Sequence, residues 1–205
     1  KLEEIISNLN HIPKENIILN CGGISQAFDL LCQHFITPGD EVICHTLTYI
    51  PSLVSVINKY GNLKYIQPIL NDNSLDYNLH EILDNITSAT KIIYLIHPTY
   101  LFGDTFDENE FIDILNKIPT NIAIVLDECY IDYYNNVFNS VNIINSHFVF
   151  GLRTFSKFYG LPNTRLSYLV CNKKYREIIK YSFTFKNIPD SSIKEVKKSL
   201  LNKDY

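Results

Sequence analysis

The sequence predicts an α/β fold with a mainly parallel sheet that is covered by helices on both faces. Three observations support this prediction. Short runs rich in valine, isoleucine and tyrosine alternate along the chain with stretches whose apolar residues have helical spacing. The short runs are apolar at successive positions, as is typical of strands buried on both faces. Turn signals separate the elements, among them TPGD, NDNS and IPTN.

The predicted strands and helices alternate over most of the chain. The strands are NIILN, DEVICH, LKYIQPI, TKIIYLIH, IAIVLDE, HFVFGL and LSYLVCN. The helices are expected at residues 3–10, 24–36, 49–60, 77–86, 107–117, 139–145, 174–184 and 191–202. The last helix takes DSS, residues 190–192, as its cap.

Composition excludes several classes of function. A chain of 205 residues that is 46% hydrophobic can bury the core of one large domain. Its net charge of −4 and lack of a long basic run argue against nucleic acid as a partner. No apolar run reaches the roughly 18 residues of a membrane span. The five cysteines form no CxxC pair or zinc-ligand cluster, so they predict reduced thiols, no metal site and a cytoplasmic location.

Chemically informative residues follow the predicted strands, where open α/β sheets bind their ligands. Asp127 ends an apolar strand and is either a helix-capping or loop acid, or a carboxylate directed at a cationic ring nitrogen. Lys157 is either a solvated loop lysine, or an amine partly removed from water that attacks an aldehyde. Arg165 is either a surface charge or a fork that binds phosphate.

Three further features complete this set. CGG precedes the second predicted helix, so free backbone N–H groups and the helix dipole form an anion site there. Tyr49 is either a core or rim residue, or a stacking face for a planar cofactor. Tyr130, three positions after Asp127, is placed to donate to a phenolic ring oxygen. Pyridoxal 5'-phosphate needs an amine, a carboxylate and phosphate donors together, and is therefore the predicted cofactor.

Three stretches resemble motifs of a known family. VLDECYIDY resembles its Asp-Glu-Ala-Tyr strand end, and LRTFSKFYGLPNTRLSY resembles its Thr-Phe-Ser-Lys stretch with an arginine eight positions after the lysine. FITPGDEVICHTLTY is similar to the segment that ends in Pro-Thr-Tyr. On these motifs, the chain resembles the fold-type I pyridoxal-phosphate-dependent aminotransferases of class I/II, most closely their histidinol-phosphate aminotransferase-like branch. The resemblance runs in order over nearly the whole chain, and it implies a three-layer α/β/α domain with a seven-stranded sheet.

The resemblance implies a role for each candidate residue. Lys157 forms the internal aldimine and later moves protons, Asp127 keeps the ring nitrogen protonated, and Tyr130 binds the ring 3-oxygen. Tyr49 lies on the ring face. The phosphate is expected to bind Thr154, Ser156, Arg165 and the backbone of Gly23, Ile24 and Ser25.

The chain departs from the family pattern at residues 97–103. HPTYLFG stands where the family has Asn-Pro-Asn-Asn-Pro-Thr-Gly. Tyr100 takes the position of the asparagine that donates to the ring 3-oxygen, so Tyr100 joins the candidate cofactor-binding residues. His97 is expected to be structural rather than catalytic.

The resemblance also carries expectations about the whole protein. Residues 1–205 correspond to the large domain, and the family's N-terminal arm and small C-terminal domain, with its substrate-carboxylate arginine, are expected to be missing. The missing initiator methionine also suggests a piece of a longer protein. A homodimer is expected, because family members have their sites at a subunit interface.

Three functions follow from these residues. The first is an aminotransferase that moves an amino group between a small, phosphorylated amine or amino acid and a 2-oxo acid. The alternative is a decarboxylase of a phosphorylated amino acid, similar to threonine-phosphate decarboxylase, because the same cofactor residues serve both reactions. A degenerate fold used only for binding is disfavoured, because the lysine, aspartate, tyrosine and arginine of the motifs are all present.

Overall fold

A seven-stranded sheet forms the centre of the molecule in the computed structural model, which describes residues 1–70, 75–99, 101–184 and 187–202. The sheet strands are β1 (Ile17–Cys21), β2 (Glu41–His45), β3 (Asn62–Ile66), β6 (Thr90–Ile96), β7 (Ala123–Asp127), β8 (Val149–Thr154) and β9 (Leu166–Cys171). A separate antiparallel pair comprises β4 (Ile69–Leu70) and β5 (Leu75–Asp76). The sheet order is β1-β9-β8-β7-β6-β2-β3.

Only β9 runs against the other strands of this sheet. The pairs β2–β3, β2–β6, β6–β7 and β7–β8 are parallel, whereas β9 is antiparallel to both β1 and β8. The prediction of a mostly parallel, seven-stranded sheet is therefore confirmed. All seven predicted strand segments contribute to it, because consecutive β-branched and aliphatic residues suit strands covered on both faces.

Helices pack on both faces of the sheet. They are α1 (Leu2–Asn10), α2 (Gly23–Phe35), α3 (Ile50–Ile57), α4 (Leu79–Asn85), α5 (Glu108–Leu115), α6 (Ser140–Ile143), α7 (Lys173–Thr184) and α8 (Asp190–Leu201). One core cluster joins α2, α3 and α7 to the sheet, and a second joins α4, α5 and α6 to the opposite face. A third lies under α1 and α8. The predicted three-layer α/β/α arrangement is confirmed.

The predicted DSS cap of the last helix is wrong. The helix begins at Asp190, its cap residue is Pro189, and no side chain of the described chain caps it. Proline restricts its own backbone to angles that suit a helix start, so the turn begins one residue earlier than the serine pattern indicated. None of the helices in the described ranges is both long and apolar enough to cross a membrane.

Neighbouring residues at the ends of β7 and β8 point to opposite faces of the sheet, as strand geometry requires. Asp127 and Thr154 lie on the side of α2. Glu128 and Arg153 lie on the other side, where the Arg153 Nε donates to Glu128 Oε2 over 2.7 Å. The Ser140 hydroxyl also donates to this carboxylate over 2.9 Å. A buried ion pair therefore links the two strand ends directly behind the cavity described below.

Candidate active site

A cavity of about 350 Å³ opens at the carboxyl ends of β7 and β8, beside the first turn of α2. Ten of the eleven predicted site residues line it: Gly23, Ile24, Ser25, Tyr49, Asp127, Tyr130, Thr154, Ser156, Lys157 and Arg165. The eleventh, Tyr100, lies outside the described residues. Residues that are far apart in the sequence thus meet at one sheet edge, because parallel strands end on the same side.

Asp127 lies in the buried floor of the cavity and is only 3% exposed. Its Oδ2 accepts a hydrogen bond from the Tyr94 hydroxyl over 2.7 Å, and its Oδ1 accepts one from the Cys129 N–H over 3.2 Å. Burial raises the pKa of the Asp127 carboxyl, and the hydrogen bond from Tyr94 opposes that rise. No ion pair within the described residues includes Asp127. A buried carboxylate without a cationic protein partner suits a cationic ligand atom.

Lys157 lies at the rim of the cavity. Its Nζ is 5.6 Å from the ring centroid of Tyr130. The side chain is exposed, so the prediction that its amine is partly removed from water is wrong for this chain on its own. The reason is geometric: Lys157 follows the end of β8 into an open turn, where no described element covers it. Burial raises the pKa of the neighbouring Tyr130 hydroxyl, and Lys157 opposes that rise.

The start of α2 forms one side of the cavity. Its cap residue, Gly22, has φ 107°, and no side chain of the described chain caps the helix. The N–H of Gly23 donates to the Arg165 carbonyl over 3.1 Å. The predicted backbone donors Ile24 and Ser25 follow it in the first turn of α2, where N–H groups have no acceptor within the helix. Because an uncapped helix start attracts anions, this side suits a phosphate.

Arg165 approaches the same helix start. Its Nη2 donates to the Gly22 carbonyl over 3.0 Å. A Cβ placed on Gly23 would lie 2.5 Å from this Nη2, so a larger residue would displace the guanidinium, and the φ of 79° at Gly23 also favours glycine. Arg165 itself has φ 50°, a left-handed conformation that is costly for a non-glycine residue. The turn therefore holds the arginine beside the anion side of the cavity.

Two hydroxyl groups complete the polar wall. The Thr154 hydroxyl donates to Ser156 Oγ over 3.1 Å, and the Ser156 N–H donates to Thr154 Oγ1 over the same distance. Thr154 is buried, whereas Ser156 is partly exposed. The pair presents hydroxyl groups between the buried Asp127 and the exposed Arg165, which gives the cavity an acidic floor and a basic rim.

Sequence reasoning missed two neighbours of Asp127. Cys129 lines the cavity, and Tyr94 reaches Asp127 from the adjacent strand β6. The spacing along β6 could have indicated Tyr94. Ile96 pairs with Asp127, and Tyr94 lies two positions before Ile96, so both side chains point to the same face of the sheet as Asp127. The strand order that makes β6 and β7 neighbours was not available from the sequence.

His97 is structural, in agreement with the expectation. It is fully buried, its Nε2 lies 3.0 Å from the Phe138 carbonyl oxygen, and its Nδ1 accepts from the Phe106 N–H over 3.2 Å. Its ring stacks on that of Phe106, with centroids 4.2 Å apart. Burial lowers the pKa of His97, and both ring nitrogens are engaged, so it has no free nitrogen to offer a substrate.

Similarity to known proteins agrees with this geometry. Residues 2–202 match the sequence model of the family described as aminotransferase class I and II. Histidinol-phosphate aminotransferase of Methanococcus aeolicus is 32% identical over 190 residues, which are 91% of this chain and 49% of that protein. The chain thus spans about half the length of the curated relatives it matches.

Solved structures share the fold at lower identity. Histidinol-phosphate aminotransferase from Sinorhizobium meliloti, in complex with pyridoxal-5'-phosphate, matches with a TM-score of 0.85 and 20% identity over 100% of this chain and 55% of that chain. L-threonine-O-3-phosphate decarboxylase from Porphyromonas gingivalis matches with a TM-score of 0.77 and 18% identity over 97% of this chain and 60% of that chain. Because the family model matches residues 2–202, the chain belongs to the aminotransferase class I and II family.

Proposed function

We propose that the chain is the cofactor-binding large domain of a pyridoxal-phosphate-dependent aminotransferase. It moves an amino group between a small phosphorylated amine, of which histidinol phosphate is the first candidate, and a 2-oxo acid. The observation that carries this proposal is the single cavity lined by Lys157, Asp127, Tyr130 and Arg165. The names of the curated relatives support the choice of substrate class.

The residues present fit pyridoxal phosphate. The buried Asp127 carboxylate would hold the ring nitrogen, and Tyr49, a residue that is 45% exposed, would stack on the ring. The first turn of α2 would hold the phosphate together with Arg165, Thr154 and Ser156. When bound, the cofactor supplies an aldehyde that takes up the amino group and a ring that accepts electron density from the reacting carbon.

The chain's own groups then perform the proton transfers. Lys157 is the only lysine lining the described cavity, and its Nζ would remove a proton from the substrate carbon and deliver it to the carbon that the cofactor aldehyde contributes. Tyr130, beside it, would donate a hydrogen bond to the ring 3-oxygen and keep its proton. Asp127 would accept a hydrogen bond from the protonated ring nitrogen, and its burial would keep water from that contact.

The activity is tested on the protein as it is naturally produced, with histidinol phosphate as amino donor and 2-oxoglutarate as acceptor. We expect glutamate to form in equal amount to the oxidised donor, and no carbon dioxide. O-phosphothreonine is the comparison substrate. Release of carbon dioxide from it without any 2-oxo acid would overturn transamination in favour of decarboxylation.

The proposal includes a homodimer in the cytoplasm. Three apolar side chains on α3, Ile50, Val54 and Ile57, are 68%, 46% and 59% exposed and form a stripe along one side of the helix. The stripe begins next to Tyr49 at the open side of the cavity. A second copy that covers it buries apolar area and closes the site. The five free thiols support the cytoplasmic location.

The double change Val54→Glu and Ile57→Glu is expected to raise the dissociation constant of the dimer at least about a hundredfold, because a twofold interface meets each new charge twice. Sedimentation equilibrium measures this constant. Ile178→Glu is the control, since Ile178 is 50% exposed and belongs to a different helix, α7. If both variants raised the dissociation constant equally, the exposed side of α3 would not be the dimer interface.

A further inference from the structure

The strand next to Asp127 contributes a tyrosine that the proposed reaction has not yet used. Tyr94 lies on β6, is 0% exposed and packs its ring on Phe28 of α2, with centroids 4.5 Å apart. Its hydroxyl reaches across to Asp127 Oδ2 at 2.7 Å. A buried hydroxyl needs a partner, and this one has the carboxylate at the floor of the cavity.

The direction of this hydrogen bond follows from the chemistry of both groups. Burial and the nearby Asp127 carboxylate raise the pKa of Tyr94 well above its ordinary value, so the tyrosine keeps its proton and donates it. Burial also raises the pKa of Asp127, and the donated hydrogen bond is the largest influence acting in the opposite direction. Tyr94 therefore favours the ionised form of Asp127 against the effect of its burial.

The same contact sets the orientation of the carboxylate. One oxygen of Asp127 accepts from Tyr94, and the other accepts from the Cys129 N–H over 3.2 Å. A carboxylate has about four lone-pair positions, so both oxygens can still accept from a ligand. Held at two points on opposite oxygens, the group is restricted in rotation before any ligand arrives.

We propose that Tyr94 is a positioning residue that keeps Asp127 ionised and directed at the ring nitrogen of pyridoxal phosphate. This inference rests on the proposed function for the identity of the ligand. The contact between Tyr94 and Asp127 does not depend on that identity. The other titratable groups that influence Asp127 are Cys129 and Glu128, and neither is changed in the test.

The test compares Tyr94→Phe with Tyr77→Phe, which is the matched control. Both changes remove one hydroxyl from a buried tyrosine and keep the ring, but the Tyr77 hydroxyl donates to the Asp104 carbonyl over 3.2 Å, away from Asp127. In the cofactor-free protein, carbon-13 NMR follows the titration of the Asp127 carboxyl, assigned by its loss in Asp127→Asn. Loss of the hydrogen bond to the ionised carboxylate should raise the pKa of Asp127. We therefore expect its acid dissociation constant to fall roughly tenfold in Tyr94→Phe and to stay unchanged in Tyr77→Phe.

A second measurement uses the protein loaded with pyridoxal phosphate that carries nitrogen-15 in its ring. In Tyr94→Phe the more basic carboxylate takes a larger share of the proton, so the ring nitrogen signal moves toward its unprotonated position. A role for Tyr94 in packing alone moves neither signal, because phenylalanine keeps the contact with Phe28. An unchanged Asp127 titration overturns the proposal. If the unsubstituted protein binds no pyridoxal phosphate, the proposed function fails, while the carboxyl titration still decides the role of Tyr94.

Discussion

Replacing Lys157 with alanine is expected to lower the rate of amino transfer by roughly a thousandfold or more, because the amine both binds the aldehyde and moves the proton. The protein should remain folded, since Lys157 is exposed and its Nζ lies over Tyr130 rather than within the core. We expect the free energy of unfolding to change by no more than about 0.5 kcal/mol. Steady-state kinetics and urea unfolding measure the two quantities.

The covalent role of the lysine is tested by borohydride reduction followed by peptide mass spectrometry. The unsubstituted protein should carry reduced cofactor on Lys157, and Lys157→Ala should carry none. Lys174→Ala is the matched control, because the Lys174 Nζ lies 5.5 Å from the Tyr175 ring centroid on α7, a similar cation–aromatic contact outside the cavity. A reducible adduct that persists in Lys157→Ala contradicts the assignment.

Replacing Arg153 with leucine is expected to lower the free energy of unfolding by about 3–5 kcal/mol. The change leaves the Glu128 carboxylate without its cation in a site where the two side chains are 4% and 0% exposed. Urea unfolding measures the loss. Arg176→Leu is the control, since Arg176 pairs with Glu177 at the surface, and its loss should cost no more than about 1 kcal/mol.

The double variant Glu128→Gln with Arg153→Leu separates charge from packing. Glutamine keeps an oxygen that can accept from the Ser140 hydroxyl, which donates to Glu128 over 2.9 Å, but it carries no charge. We expect the double variant to recover most of the stability that Arg153→Leu loses, because the side chain at position 128 is then no longer a buried carboxylate without its cation. If the double variant is no more stable than Arg153→Leu, the cost lies in packing rather than in the unpaired carboxylate.

Local patterns were sufficient for the strands and for the chemical identity of the site. Seven runs of β-branched and aliphatic residues became the seven strands of one sheet, because a strand buried on both faces requires apolar side chains at successive positions. Asp127 could be selected because it ends such a run, where a charged group is costly unless it has a partner. Lys157 could be selected because it follows the next such run, at the same edge of the sheet. These inferences depend only on residues close in the sequence.

Contacts between distant segments were not predictable in the same way. The hydrogen bond from Tyr94 to Asp127 exists because β6 lies beside β7 in register. The Gly23 N–H is engaged because the turn before β9 brings the Arg165 carbonyl to the start of α2. The exposure of Lys157 depends on which elements cover the end of β8. Both hydrogen bonds and the exposure of Lys157 therefore depend on the order of the strands in the sheet.

By itself, the sequence determined the α/β class, the seven strands and the lysine, aspartate, tyrosine and arginine of a cofactor site. The reason is that periodicity and residue chemistry are local properties of the chain. Only the tertiary structure decided that these residues share one cavity and that Glu128 and Arg153 form a buried pair behind it. It also decided that the Tyr94 hydroxyl donates to the Asp127 carboxylate. Those contacts arise from strand order and register, which hydrogen bonding between distant strands sets.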